Sequence, residues 1–260
     1  MPLLVYEGKS GKMILPILRP GQRNKSLSVH DILKRIIERI HKVWPRCVIE
    51  LRGDSNFCSH EFMDWVEDEC CFVELVTGIT ANSVLYGHID KHLRRCRNRY
   101  KKDHSDVRMY YSFEYRAGTW QHSQRIIAKN EINALREHAR FIVTSNCNNK
   151  PETIYTSCGE MELWIKDLKC LHEDRMSCGK FKANQFRLFL YAAAYVMLYQ
   201  LKHKAFEGTE IASFTMDSFL KKIMLSAVLI PEQKCAIKVS FAPHHRYRAE
   251  ITKLLSTIAA

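Results

Sequence analysis

The spacing of apolar residues predicts alternating strands and helices along the first 80 residues. Two apolar runs flank the segment Gly8-Lys9-Ser10-Gly11-Lys12, which predicts a β-hairpin. Apolar residues three and four positions apart predict a helix that Ser28 caps and Pro45 ends. The later runs predict a strand at 48–51, a helix at 59–69 and a strand at 71–76. This order of elements indicates a mixed α/β fold.

After residue 80 the chain carries a dense run of basic residues from 86 to 106 and then becomes strand-rich. Asn149 and Glu152 form a capping-box pattern, with a proline in the first turn, and predict a helix that reaches Lys169. A longer helix at 181–202 has apolar residues most of the way round, so we expect it to be buried. The remaining predicted elements are strands at 109–115, 124–129 and 141–144, a helix at 209–229 and a strand at 234–241.

The composition adds size and charge to this picture. With 260 residues, 46% of them hydrophobic, the chain is able to bury a core as one large domain or as a domain with an insertion. Forty Lys and Arg against 28 Asp and Glu give a formal net charge of +12. That balance suits a polyanionic partner, and nucleic acid is the first candidate. Many basic proteins bind no DNA, so charge alone does not decide the function.

Other compositional signals bear on location and on metal binding. The cysteines include no CxxC pair, and Met1-Pro2-Leu3 does not resemble a signal peptide, so we expect a cytoplasmic, nucleoid-associated protein without a structural zinc site. The longest apolar stretch, 186–201, is interrupted by Arg187 and is short for a bilayer span, so no membrane partner is expected. His88 and His92 are four residues apart, but neighbouring cations oppose a metal there.

One narrow stripe of the predicted helix that ends at Lys169 carries chemically useful side chains. The stripe contains Tyr155, Cys158, Glu162 and Lys169. At about 100° per helical residue, these positions fall within an arc of roughly 60°. A carboxylate with a cation two turns further on is typical of a functional site. The alternative is a core helix with a solvated edge, and the spacing leaves both interpretations open.

This stripe resembles the Y-(2)-R-(3)-E-(6)-K signature of bacterial insertion-sequence DDE transposases. Tyr155, Glu162 and Lys169 are in register with that signature, and Cys158 stands where the family has arginine. Three of the four signature positions therefore match.

Further segments of the chain resemble the same family on both sides of the signature. Upstream, RGDSNFC at 52–58 is similar to the family's RGDSGFC segment around its second catalytic aspartate. Downstream, RMSC at 175–178 and ANQFRL at 183–188 resemble its RTSC and ANQFRL segments. In order and spacing, these matches cover nearly the whole chain.

The resemblance implies an α/β (α+β) fold with an RNase H-like, retroviral-integrase-like core and a strand-rich insertion. We expect the core to be N-terminally incomplete, because the strand with the family's first aspartate would precede the hairpin and no aspartate occurs before Arg19. The expected boundaries are 1–78 for the first part of the core, 79–148 for the basic insertion, 149–206 for the second part of the core and 207–260 for a C-terminal helix and strand.

The resemblance also implies a catalytic site. Asp54 would be the second metal-binding aspartate and Glu162 the third carboxylate, while Tyr155 and Lys169 would position or neutralise a backbone phosphate. The family's reaction is phosphoryl transfer on DNA with two divalent metal ions, Mg²⁺ or Mn²⁺, for which carboxylates are suitable hard ligands. Cys158 cannot hold phosphate in the bidentate fork that arginine makes. With the first aspartate missing from this chain, the triad is incomplete and independent catalysis is not expected.

Five residues are expected to contact DNA. Trp120 and Arg125 resemble a tryptophan and an arginine of the family's insertion, where such a tryptophan can stack on an everted base. Arg94, Arg95 and Arg97 belong to the basic helix, which is suited to neutralising phosphates. The alternatives are a packing tryptophan within a hairpin and a solvated helix face.

These features together predict the C-terminal catalytic portion of a DDE transposase, truncated or decayed. Its expected partners are transposon inverted-repeat ends, target DNA, and a second copy of itself or an intact transposase. Two alternatives stay open: a non-catalytic DNA-binding product that poisons assembly of the intact enzyme, and an RNase H-like nuclease. A preference for inverted-repeat DNA distinguishes the transposase from the nuclease.

Overall fold

The structure, a computed structural model, describes residues 2–20, 28–156, 160–172, 176–231 and 238–258. The chain forms two compact units. The middle unit consists of residues 23–159, and the terminal unit consists of residues 1–22 together with 160–260. The terminal unit is therefore built from both ends of the chain.

Strands and helices alternate along the described residues, so the prediction of a mixed α/β fold is confirmed. The strands are β1 (Pro2–Tyr6), β2 (Met13–Leu18), β3 (Ile49–Gly53), β4 (Val73–Ile79), β5 (Val107–Tyr115), β6 (Gln124–Ile132), β7 (Glu137–Thr144), β8 (Val228–Leu229) and β9 (Ser240–Phe241). The helices are α1 (Val29–Val43), α2 (His60–Glu69), α3 (Ser83–Asp103), α4 (Pro151–Thr156), α5 (Glu160–Lys169), α6 (Phe181–Gln200), α7 (Met216–Phe219) and α8 (Arg248–Ile258). Among these described helices, none is long and apolar enough to cross a bilayer.

The middle unit is organised around a five-stranded sheet in the order β3-β4-β7-β6-β5. Strand β3 runs parallel to β4, and the other neighbours are antiparallel. The strands of the predicted insertion therefore continue the sheet that β3 and β4 begin. The boundaries at 79 and 148 stay a prediction, and the compact units group the residues on either side of both boundaries together.

Helix α1 is capped and packed as its sequence pattern predicts. The Ser28 hydroxyl accepts a hydrogen bond from the His30 amide at 3.2 Å. Leu33 and Ile37, one turn apart on the apolar face, are buried. The His30 ring stacks on Phe62 of α2, with the ring centroids 5.2 Å apart. The predicted helix and its cap are confirmed.

The basic helix α3 packs on the sheet through four buried residues: Leu85, Ile89, Leu93 and Cys96. On the side of α3 above β5, His88 stacks on Phe113 with centroids 4.6 Å apart, and His92 stacks on Tyr111 at 3.6 Å. The apolar residues spaced three and four positions apart thus face the sheet, and the basic residues lie on the remaining surface of α3.

In the terminal unit, β1 and β2 form the predicted antiparallel hairpin. Gly11 in its turn has a φ of +72°, and a Cβ atom there would lie 2.5 Å from Nε1 of Trp164 in α5, so only glycine fits. The Tyr195 hydroxyl donates a hydrogen bond to the Gly11 carbonyl at 3.0 Å. Leu168, Tyr195 and Phe219 belong to the buried cluster beneath the hairpin. The hairpin is therefore fixed by helices 150 or more residues later in the chain.

The start of α6 is locked by three polar side chains of the segment 183–188. The Asn184 side chain accepts a hydrogen bond from the Cys178 amide at 3.0 Å and donates one to the Cys178 carbonyl at 2.7 Å. Gln185 Oε1 accepts from the Leu18 amide of β2 at 2.7 Å. Arg187 Nη1 donates to the Ser177 hydroxyl at 2.6 Å. The two segments that resemble the family thus contain residues that hydrogen-bond to each other, Asn184 to Cys178 and Arg187 to Ser177.

The prediction that α6 is buried was wrong. Leu188, Ala192 and Tyr195 are buried on one face, while Phe186, Leu190 and Met197 are 62%, 55% and 67% exposed. A helix that is apolar all round carries no pattern to say which face is covered.

The end of the chain also departs from the prediction. The helix expected at 209–229 is broken into a 3₁₀ turn at Glu210–Ser213, helix α7 with Thr215 as its cap, and a π-helical turn at Leu220–Met224. Strand β8 follows and pairs with β9, and residues 234–237 of the predicted strand at 234–241 lie outside the described residues. Helix α8, which the sequence pattern did not indicate, buries Tyr247 and Ile251 at its start.

Candidate functional site

Asp54 lies directly after β3, on an exposed turn. Its Oδ1 accepts a hydrogen bond from the Asn56 amide at 2.9 Å, and its Oδ2 accepts from Asn56 Nδ2 at 3.1 Å. Asp54 is thereby the N-cap of a 3₁₀ turn at Ser55–Phe57. The carboxylate has a fixed orientation and faces solvent, which is consistent with either the capping role or a ligand role.

Two glycines shape the backbone around Asp54. A Cβ atom on Gly53 would lie 2.6 Å from the Phe57 ring, which folds back over β3. A Cβ atom on Gly78 of β4 would lie 3.0 Å from the Ser55 amide nitrogen. The turn that carries Asp54 therefore passes directly over the neighbouring strand, and the absence of side chains at both positions is what allows it.

Tyr155 lies on α4, in the same unit as Asp54. Arg52 of β3 donates a hydrogen bond from Nη1 to the Ile154 carbonyl at 2.9 Å, which ties α4 to the strand that ends at Asp54. The Tyr155 ring lies 5.7 Å from the Tyr110 ring, and Lys129 Nζ lies 5.6 Å from its centroid. Arg52, a partly buried residue to which the sequence pattern assigned no role, thus joins the strand that precedes Asp54 to the helix that carries Tyr155.

Arg125, predicted to contact DNA, is engaged within the protein. Its Nη1 donates hydrogen bonds to the Asn146 carbonyl at 2.9 Å and to the Asn149 carbonyl at 3.0 Å. These carbonyls belong to the loop between β7 and α4. The side chain therefore fixes that loop and, with it, the start of the helix that bears Tyr155.

Glu162 and Lys169 lie on α5, in the terminal unit. Trp164, which packs on Gly11, and the buried Leu168 anchor this helix and leave Glu162 exposed. Glu162 Oε1 pairs with Lys166 Nζ at 3.0 Å, and Lys169 is exposed two turns from Glu162. Lys166 was missed by the sequence analysis, although a Glu followed by a Lys four residues later is the spacing that predicts such a pair.

The residues of the predicted stripe are divided between the two units. Tyr155 belongs to the middle unit, and Glu162 and Lys169 belong to the terminal unit. Helix α4 is described as far as Thr156 and α5 from Glu160, and residues 157–159 of the expected single helix lie outside the described residues. Cys158 lies outside the described residues, so its replacement of the family's arginine stays a sequence observation.

The carboxylates of Asp54 and Glu162 are chemically suitable ligands for a divalent metal ion, but they are two where the expected triad has three. Asp54 and Glu162 offer hard oxygen atoms on exposed side chains, which Mg²⁺ prefers. In the described parts of the chain, no group of three or more His, Cys, Asp or Glu side chains is placed to hold a metal ion. His88 and His92 are instead engaged in the aromatic stacks above β5, and burial together with the charges of Arg95 and Lys91 lowers the pKa of His92.

Helix α3 carries seven basic and two acidic residues, a net charge of +5. Arg94 pairs with Asp90 at 2.7 Å, and Arg97 makes two hydrogen bonds to Glu137 of β7 at 2.6 and 2.7 Å. Arg95 makes no ion pair with any residue that the structure describes. Of the three arginines predicted to contact DNA, Arg95 is thus the one whose charge is uncompensated.

Arg95 belongs to a stripe of basic residues on α3. Lys91, Arg95 and Lys102 fall within about 40° of one another at 100° per residue, away from the buried face. None of the three is in an ion pair with the described residues, and all are exposed. At 1.5 Å per residue the stripe is about 16 Å long, or about five nucleotide steps of 3.4 Å. We call these three residues the α3 stripe.

Trp120 is a packing residue in this structure. The residue is 7% exposed, and its ring meets Tyr115 edge-on at 5.5 Å. The loop around it is held to α2, since the Gln121 amide donates to Asp64 at 3.3 Å and His122 pairs with Asp68 at 2.9 Å. A ring held in this way offers no face to a base, so the predicted stacking role would require the loop to open.

Comparison with known proteins decides the family. A profile described as transposase DDE domain group 1 matches residues 1–260. The chain belongs to this transposase family. No curated protein sequence matches it. The five-stranded mixed sheet with its helices is consistent with the RNase H-like fold of DDE transposases. Transposases of this family act on DNA and generally use divalent metal ions.

Proposed function

We propose that this chain is the DNA-binding and carboxylate-bearing part of an insertion-sequence DDE transposase. The observation that supports DNA binding best is the α3 stripe, in which Lys91, Arg95 and Lys102 are exposed without acidic partners among the described residues. Uncompensated cations along one helix face release counterions from DNA when they meet phosphates. The DNA partner would also associate the chain with the nucleoid.

We propose Asp54 and Glu162 as the side chains that would hold Mg²⁺ or Mn²⁺, with Tyr155 and Lys169 near a backbone phosphate. When bound, a pair of such ions activates the attacking oxygen and stabilises the leaving one. Two carboxylates are fewer than the three that this chemistry uses. We therefore propose that the chain binds transposon ends and does not cut or join DNA by itself. In this role it would associate with a second copy or with an intact transposase and lower the latter's activity.

DNA binding is tested by titrating fluorescent duplexes of the inverted-repeat end and of scrambled sequence over a range of salt concentrations. Replacing all three residues of the α3 stripe by Gln should lower the slope of log K against log salt by about 2 to 3, since each phosphate contact contributes about 0.9. The matched control changes Arg94, Arg97 and Arg99 to Gln, which removes the same charge from arginines that already have acidic partners. An equal slope change in both variants would contradict the role of the stripe.

Catalysis is tested by incubating labelled end DNA with the purified chain and Mg²⁺ or Mn²⁺. We expect no nicking or joining, and we expect an excess of the chain to reduce the activity of an intact transposase of the same element. Nicking of end DNA that Asp54→Asn and Glu162→Gln abolish would overturn the first expectation and identify an active transposase. Cleavage of every duplex regardless of its end sequence would instead identify the RNase H-like nuclease.

A further inference from the structure

Strand β5 is the outermost strand on one side of the five-stranded sheet. It pairs with β6 in a regular register over all nine residues, and none of the described strands pairs with its outer edge. Its sequence, VRMYYSFEY, contains neither proline nor lysine, the residues that most often protect such edges from pairing, and its charged residues are one of each sign, Arg108 and Glu114. The outer edge of β5 therefore presents a full row of backbone donors and acceptors to another strand.

We propose that β5 pairs antiparallel with β5 of a second copy of this chain, with Tyr111 on the two-fold axis. In that arrangement, residues at equal distances from Tyr111 lie opposite one another, and all nine residues of each strand are used. The proposal identifies the surface for the self-association proposed above, and it does not depend on the DNA chemistry.

This register matches side chains on both faces of the extended sheet. On the face beneath α3, Met109 lies opposite Phe113 of the second copy, and Tyr111 meets its own counterpart, so apolar surface meets apolar surface. On the other face, Arg108 lies opposite Glu114 of the second copy. A two-fold register places this ion pair twice at each interface.

The two charged residues differ in their present partners. Glu114 is exposed and makes no ion pair with any described residue. Arg108 is 57% exposed and pairs with Glu131 of β6 at 2.6 Å, through one side of its guanidinium group. Because guanidinium has five donors, it is able to keep Glu131 and also reach a carboxylate across the new edge. The pattern is therefore self-complementary in charge as well as in the placement of its apolar residues.

The second copy would also bring together the two basic helices. Helix α3 covers β5 through His88 and His92, and a two-fold axis perpendicular to the sheet keeps both copies of α3 on the same face. The two α3 stripes would then flank the seam and repel each other at low salt. A polyanion such as duplex DNA relieves this repulsion, so DNA should strengthen the pairing.

The test is sedimentation equilibrium of the full chain, alone and with duplex DNA. We expect a reversible dimer whose dissociation constant rises at least about tenfold in Arg108→Glu and in Glu114→Arg, because each places like charges opposite each other twice. The double variant, Arg108→Glu with Glu114→Arg, should return to within about threefold of wild type, because the pairs are restored with reversed sign. Lys42→Glu on α1 and Glu61→Arg on α2 are controls with the same charge changes on exposed residues.

Circular dichroism melts show whether each variant is folded, and rescue by the double variant cannot arise from unfolding. A dimer that none of the reversals weakens would overturn the β5 surface and leave self-association standing. A chain that stays monomeric at every concentration, with and without DNA, would overturn both. Neither outcome would alter the salt dependence expected of the α3 stripe.

Discussion

Glu162 forms an ion pair with Lys166 one turn further along α5, with 3.0 Å between Oε1 and Nζ. Both side chains are largely exposed, 74% for Glu162 and 61% for Lys166. An exposed pair at this spacing contributes only about 0.3 to 0.5 kcal/mol, because water screens it. The proposed metal-binding carboxylate is therefore held by a contact that a stronger ligand can replace.

This pairing predicts that Lys166→Ala changes the free energy of unfolding by less than about 0.5 kcal/mol. Urea denaturation of the variant measures the change, and Lys169→Ala is the matched control on the same helix. A loss of more than about 1 kcal/mol in Lys166→Ala alone would show that the pair has a structural role beyond its surface contact.

Gly78→Ala should destabilise the middle unit by about 1 to 3 kcal/mol, because the added Cβ would press on the Ser55 backbone nitrogen at 3.0 Å. Backbone atoms next to Asp54 cannot move aside as a flexible side chain does. Gly87→Ala is the control, since its Cβ meets nothing within 4 Å on α3 and the helix should gain up to about 1 kcal/mol. Thermal melts of the two variants should therefore shift in opposite directions, and a Gly78→Ala protein as stable as wild type would contradict the close approach at Ser55.

Trp120→Ala should cost about 3 to 5 kcal/mol of folding free energy, as expected for a large core side chain. Trp120→Phe keeps much of the packing and should cost less. If Trp120 instead stacks on a base, as the sequence predicts, DNA affinity should fall in Trp120→Phe while stability stays near that of wild type. Denaturation and DNA titration of the same two proteins distinguish the outcomes.

Arg125→Ala should destabilise the chain by about 1.5 to 3 kcal/mol, because two carbonyl groups lose a charged donor. Lysine at this position should restore part of the stability, since a single nitrogen, Nη1, donates both bonds and the lysine ammonium also carries several N–H donors. Arg140→Ala, which removes an exposed arginine from β7, is the control and should change stability by less than about 0.5 kcal/mol. A variant with normal stability and weakened DNA binding would instead support the predicted DNA contact.

Glu131 makes stability depend on acid pH. Hydrogen bonds from Lys129 and Arg108 lower its pKa from 4.5 to about 2. A carboxyl whose pKa is lower in the folded state stabilises the fold above its unfolded pKa, and this contribution is lost as pH falls through the folded pKa. Wild type should therefore lose about 1 kcal/mol, after solvent screening, between about pH 4.5 and pH 2.

The matching variant is Glu131→Gln, in which that part of the pH dependence should disappear while the volume of the side chain is kept. Glu61→Gln, on the exposed start of α2, is the control. If both variants and wild type lose stability in parallel over this range, the ion pairs of Glu131 contribute nothing measurable.

The elements of the middle unit were largely predictable because their signals are local. Ser28 caps α1, the glycines permit the turn at Asp54, and the strands alternate as their apolar runs indicate. The local pattern could not predict contacts between residues that are far apart in the sequence. The contact of Arg52 with the Ile154 carbonyl joins residues 102 positions apart, and no periodicity in either segment indicates it.

The failures in the terminal unit have a physical cause as well. Helix α6 is apolar all round, so its pattern contains no information about which face is covered. The stretch 209–229 is rich in apolar residues at helical spacing, but Phe214 and Thr215 adopt extended backbone angles that interrupt it. For the candidate site, the pattern predicted Asp54 and Glu162 but not Lys166, because the signature pairs the glutamate with a lysine seven residues later and does not specify the cation at four residues.

The terminal unit is built from two segments that are far apart in the sequence, and this affects the order in which the protein folds during synthesis. The hairpin of β1 and β2 is synthesised before the middle unit, but its partners Trp164 and Tyr195 follow more than 150 residues after Gly11. A two-stranded hairpin alone is marginally stable in water. The middle unit is continuous in sequence and is free to fold while synthesis proceeds, whereas the hairpin must wait for the later helices. During that interval the apolar surface and unpaired strand edges of the hairpin are prone to aggregation.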